Sequence, residues 1–213
     1  MLKKIFFFIC LATPIIQAKT LLLFQTFGST HHTGRNVAGS TERGITIKLA
    51  EAIQDFLSEQ EPALQTFIVN PAGNNKKNSL EMLNKINQAK KALVIQLTAS
   101  HNHHAKPACN IFFRCYNPLT DQIKRPYAPL TPIPLEDVYL LYFNQSKKIA
   151  HAINTQLQSA QDFIDTSQPI GIPLAHVRGI KHPLIQIEIK ISQEANLTEL
   201  SAVIARSLKQ IIA

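Results

Sequence analysis

The sequence contains no tryptophan, only two methionines, three cysteines and seven glycines in 213 residues, and aromatic residues make up just 7% of it. So little glycine, against twelve prolines, excludes collagen-like and low-complexity classes. Few aromatics and scattered lysines leave no basic stripe interleaved with stacking residues, so no nucleic-acid partner is expected despite a formal charge of +8. There is no CxxC pair and no zinc-ribbon spacing. No apolar run reaches the roughly 20 residues of a membrane-spanning helix. The longest, Ile5 to Ile16, is broken by Thr13 and Pro14, follows Lys3-Lys4 and leads to Ile16-Gln17-Ala18. That pattern is a secretory signal peptide over residues 1–18, cleaved after about Ala18. Cys10 has no lipobox before it, which argues against lipidation.

What is present describes a folded, exported domain. Hydrophobic residues make up 45% of the chain and charged residues 17%, enough for one globular core over residues 19–213 without help from disulfides. The expected product is a secreted or periplasmic monomer with no membrane span after cleavage. Loss of Lys3 and Lys4 lowers its charge from +8 to +6, a surplus suited to an anionic envelope. Cys109 and Cys115 remain, and their spacing allows either a local disulfide or two inert buried thiols.

Strand and helix patterns alternate along the chain. Leu21-Leu22-Leu23-Phe24 is a short apolar run expected to be buried on both faces of a sheet. Ile45, Leu49, Ile53, Phe56 and Leu57 recur at helical spacing, with Ser40 or Thr41 placed as the cap. Thr66–Val69 reads as a strand, Ser79–Lys90 as a helix and Leu93–Leu97 as a strand. Asn110–Tyr116 reads as a further strand, and five prolines between Pro118 and Pro134 mark an irregular excursion. A long helix is expected from about Glu136 to Gln158, a strand over Leu184–Ile189, and a last helix opening at Asn196 with Glu199 completing a capping box. The fold class is therefore α/β: a single domain with a mostly parallel central sheet and helices on both faces.

In such sheets ligands bind beyond the carboxyl ends of the strands. There the sequence concentrates unusual chemistry. His31 and His32 follow the first strand, and His101, His103 and His104 follow the third. Glu42, at the entrance to the first helix, adds a carboxylate, and three such ligands plus water make a catalytic zinc site; simple solvation of the histidine-rich loops is the alternative. Glu188 interrupts an apolar strand, where a carboxylate sits at the open edge of a site, serves as a general base, or pairs with Lys181, Lys190 or Arg178.

Three stretches carry a family resemblance. Ser40-Thr41-Glu42-Arg43-Gly44-Ile45 precedes the first long helix; Asn87-Gln88-Ala89 leads into Leu93-Val94-Ile95-Gln96-Leu97; and Arg178, Pro183 and Glu188 keep a distinctive spacing. Together they resemble the zinc-dependent N-acetylmuramoyl-L-alanine amidases with one catalytic α/β domain, over almost the whole chain after the leader. The resemblance implies hydrolysis of the amide between N-acetylmuramic acid and L-alanine, with Glu42 on the metal, Glu188 as proton acceptor and Arg178 contacting substrate. It also implies peptidoglycan or muramyl peptides as partners. Strict register puts Ser29 and Thr98 where the family's two metal histidines stand. Zinc binding then falls to His31, Glu42 and His101, with His32, His103 and His104 as substitutes. The other reading is a metal-less relative that binds peptidoglycan, or a wall-enzyme partner, without cutting it.

Overall fold

A computed structural model describes residues 18–25, 34–69, 76–115, 137–174 and 179–212. The expected leader and the proline-rich excursion lie outside the described residues. The described residues form nine strands and four α-helices, in chain order. They are β1 (Thr20–Gln25), β2 (Asn36–Val37), β3 (Ser40–Thr41), α1 (Glu42–Gln60), β4 (Gln65–Val69), α2 (Lys76–Gln88) and β5 (Ala92–His101). Then come β6 (Ala108–Arg114), α3 (Phe143–Gln158), β7 (Asp165–Thr166), β8 (Ile170–Ile172), β9 (Leu184–Ile191) and α4 (Leu197–Ile212). A seven-stranded sheet runs β4-β1-β5-β9-β6-β7, with β8 also paired to β6. Every pairing in it is parallel except β6 with β9.

The two faces of the sheet explain the sequence pattern. Leu21 and Leu23 of β1 face one core, with Ile45, Leu49 and Ile53 of α1, Ile149 and Ile153 of α3, and Leu200 and Ile204 of α4. Leu22 and Phe24 face a second, smaller core closed by Ile86 of α2 together with Leu174 and Ile180. A strand covered on both sides must be apolar at consecutive positions, which is the run at 21–24. Ile95 of β5 is fully buried in the larger core. Ile95→Ala is expected to lower unfolding stability by about 2–5 kcal/mol, as for other large-to-alanine core changes; urea denaturation of both chains measures it.

The start of α1 agrees with the expected cap, for Thr41 is its N-cap and the Gly44 N–H donates to the Thr41 hydroxyl at 3.1 Å. Several other element boundaries differ from expectation. The long helix begins as a 3-10 turn over Val138–Leu141 and becomes α-helical only at Phe143. A 3-10 turn, Glu194–Asn196, leads into α4. β5 runs on to His101 rather than stopping at Leu97. Cys109 and Cys115 are both buried and form no disulfide with each other, the second of the two states their spacing allowed. Both belong to the same core, and six residues of extended chain separate them by about 20 Å, far beyond disulfide reach.

Candidate functional site

The strand order fixes where a site can form. From β1 the chain crosses through α1 to β4 on one side, whereas β5 lies on the other side and leads on towards β9 and β6. The direction of winding reverses between β1 and β5, and in open α/β sheets it is at such a reversal, beyond the carboxyl ends of the strands, that ligands bind. The described part of β1 ends at Gln25, opposite Leu97, and Thr98–His101 complete β5.

Beyond that point the face shared with the smaller core turns polar. The register pairs Gln96 with Gln186, Thr98 with Glu188 and Ser100 with Lys190, and β6 sets Asn110 opposite Glu188 from the other side. The alternate positions of β9, Ile185 to Ile191, stay fully buried in the larger core. Glu188 is thus held on a polar strip whose backbone belongs to the most deeply packed strands.

Its side chain, 23% exposed, is well partnered. Ser100 Oγ donates to Oε1 at 3.1 Å, and Asn110 Nδ2 donates to Oε2 at 3.0 Å. Ser167 Oγ donates to Asn110 Oδ1 at 3.0 Å, which fixes the amide so that its NH2 faces the carboxylate. Lys190 Nζ stands 3.8 Å from Oε2. Of the three cations proposed as partners, Lys190 is the one within ion-pair distance among the described residues. Neither Ser100 nor Asn110 stood out in the sequence; the signal was present as polar residues at every second position of two otherwise apolar strands. Thr98, opposite Glu188, is also engaged: Gln186 Nε2 donates to its hydroxyl at 3.2 Å.

Glu42 opens α1 and is buried, 6% exposed. Burial pushes its carboxyl pKa up, against the lowering effect of the Arg35 and Ala99 backbone N–H groups and of the Arg35 charge; the Glu188 charge adds to the rise. The Ala99 hydrogen bond places Glu42 at the carboxyl-terminal part of β5, and the mutual repulsion puts the two carboxylates in one electrostatic neighbourhood. Gly34 packs on Glu42: a Cβ at Gly34 would lie 2.7 Å from Glu42 Cβ and 2.8 Å from Oε2, and its φ is +79°. Gly34→Ala is therefore expected to destabilise the chain by at least about 1–2 kcal/mol from the left-handed backbone alone, read as a lowered thermal midpoint. Cys109, beneath the strip, has its thiol pushed up to about 12 by burial and then by the Glu188 charge, so it stays a neutral thiol.

Among the described residues, no histidine joins this pair to make a group of three ligands. His101 ends β5 opposite Ile191, is exposed, and meets His103 edge-on with ring centroids 5.1 Å apart. His103 and His104 are exposed as well. Their turn is organised by buried Asn102, which donates to the Lys106 carbonyl at 2.6 Å and accepts from the His104 N–H at 3.2 Å. His31, His32 and Arg178 lie outside the described residues. Among the described residues no three of His, Cys, Asp and Glu gather as metal ligands, and a threonine hydroxyl is a poor substitute for imidazole on zinc. The described donors therefore do not fit a zinc ion by themselves. Among them, too, no helix is long and apolar enough to cross a membrane.

The comparison with solved structures identifies the fold. The chain has the fold of N-acetylmuramoyl-L-alanine amidases. The amidase of that name from Clostridium difficile 630 superposes with a TM-score of 0.59 at 14% identity, covering 91% of this chain and 96% of that one. The CwlD amidase of Clostridioides difficile, solved in complex with the GerS lipoprotein, gives 0.61 at 11% identity over 91% and 98%. AmiC2 of Nostoc punctiforme, another N-acetylmuramoyl-L-alanine amidase, gives 0.58 at 11% identity over 91% and 97%. No protein-family model matches the chain, and no curated protein sequence does.

Proposed function

We propose that this chain is an exported, amidase-like hydrolase directed at peptidoglycan, acting on the amide between N-acetylmuramic acid and L-alanine. The observation that carries the reading is the Glu42–Glu188 pair at the winding reversal of an amidase fold. Glu188 is the proton acceptor for the attacking water, and Ser100 and Asn110 hold its two oxygens apart and oriented. Arg178, nine residues after Pro169 and ten before Glu188 in the chain, is assigned to the carboxylates of the stem peptide.

Zinc, where bound, would supply Lewis acidity and a water of lowered pKa. The family resemblance gives its ligands as His31, Glu42 and His101, but Glu42 and His101 belong to no group of three ligands among the described residues, and no step is routed through the ion. Support for His31 comes from Gly34, which rests on Glu42; three residues of chain span at most about 11 Å. The shortage of donors among the described residues leaves the reaction steps assigned to the chain's own side chains.

A second reading has its own observation. Thr98 stands opposite Glu188 with its hydroxyl bonded to Gln186, an arrangement that completes a polar binding surface without an ion. On that reading the crevice holds muramyl peptide, or a wall-enzyme partner, without hydrolysis. Metal analysis and muramyl-peptide release from purified sacculi separate the two. About one zinc per chain, lost together with release in Glu42→Ala and His31→Ala, supports the hydrolase. Retention on sacculi with no metal and no release supports the binding protein and overturns the first reading.

A further inference from the structure

A second cavity, of about 870 Å³, opens away from the crevice towards the start of β1. The register places Phe67 beside Leu22 and Val69 beside Phe24, so all four share the face that α2 covers. That cover is incomplete. Ile86 of α2 packs on the Leu22 cluster and is 1% exposed, whereas Phe67 is left 50% exposed in the cavity wall. Leu22, Ile68, Val69 and Ala89 add to the apolar wall, Thr20, Gln65 and Gln88 contribute polar atoms, and Lys19, Lys85 and Lys90 stand against a single acid, Glu81.

We propose that this groove binds a long-chain fatty acid, its tail along Leu22, Phe67, Val69 and Ile86 and its carboxylate at the lysine rim. The volume falls in the range of about 300–1,000 Å³ that holds one small ligand. The apolar strip of Leu22, Phe67, Val69 and Ile86 rewards a hydrocarbon tail. The surplus of positive charge at the rim selects an anionic head. An extended peptide added to the free edge of β4 is a poorer occupant, because Gln54 Nε2 already donates to the Thr66 carbonyl on that strand at 2.6 Å.

The full chain, titrated with the fluorescent fatty acid cis-parinarate, tests this. Saturable one-site uptake is expected, displaced by palmitate at least about tenfold more effectively than by uncharged hexadecanol, the equivalent of about 1.4 kcal/mol. Phe67→Asp is expected to weaken uptake by about tenfold or more, and the exposed pair Lys85→Glu with Lys90→Glu to abolish the preference for palmitate. Both variants should keep the native thermal midpoint within a few degrees and leave behaviour on sacculi unchanged. Absence of saturable uptake, equal displacement by hexadecanol, or uptake untouched by both variants overturns the proposal. Capture of anionic vesicles or of an acidic peptide in place of free palmitate overturns it equally.

Discussion

Glu188→Gln is expected to lower muramyl-peptide release by about 10²–10⁴-fold, the usual contribution of a positioned general base, while the protein still folds and still binds sacculi. The substitution keeps the shape of the side chain and removes its capacity to take a proton. Its surroundings accept the change with one rotation. Asn110 Nδ2 is a fixed donor, locked by Ser167, and requires an oxygen. Ser100 carries a hydroxyl that either donates or accepts, so the new NH2 turns towards it. Both contacts survive, Lys190 loses only a half-exposed ion pair at 3.8 Å, and the expected stability change is below about 1 kcal/mol. Release unchanged in the variant removes Glu188 from the chemistry and leaves it as a structural partner of Lys190. A parallel Asn110→Asp variant sets a second acid against the carboxylate and is expected to shift the pH profile of release, whereas a merely structural Asn110 would change only the amount of folded protein.

The chain announces its layers more clearly than its crevice. Leu21–Phe24 and Leu184–Ile189 are legible as strands because burial on one or both faces dictates their composition, and α1 and α4 because their apolar residues recur every three or four positions. The end of β5 was misplaced for the same physical reason that makes it interesting. Thr98 and Ser100 are polar, which reads as the end of a buried strand, yet the strand continues and its polar side chains find hydrogen-bond partners in Gln186 and Glu188 on β9. Where α2 no longer covers the sheet, polarity stops reporting the end of an element and begins to report a site. The antiparallel β6 beside β9 could not be read at all. Nothing local in Ala108–Arg114 encodes its partner, and the bonds from Asn110 to Glu188 span 78 positions. Glu42 and Glu188 were identifiable because a carboxylate at a helix entrance and another in an apolar strand each contradict their surroundings. His101 stood out only through clustering, and clustered histidines on a turn built around Asn102 need no metal to explain them.

Thr98→His carries the other large expected effect: an increase in zinc affinity of at least about tenfold over the native chain, whatever affinity the native donors provide. Position 98 is adjacent to Ala99, whose N–H reaches the Glu42 carboxylate, and directly opposite Glu188. An imidazole there would bring a nitrogen donor to a carboxylate already raised in pKa by burial and by its acidic neighbour, a site where an added cation relieves repulsion instead of creating it. The cost is steric. Thr98 is 8% exposed and holds a hydrogen bond from Gln186, so the larger ring is expected to destabilise the fold by about 1–3 kcal/mol, a loss that added zinc should partly reverse because metal binds only the folded arrangement. The signature is therefore paired: a lower thermal midpoint in chelator, and a larger zinc-dependent rise than the native chain shows. Glu42→Ala on the same background should erase the rise. A variant that loses stability without gaining zinc affinity would place position 98 out of reach of Glu42 and remove the physical basis for an ion in this crevice.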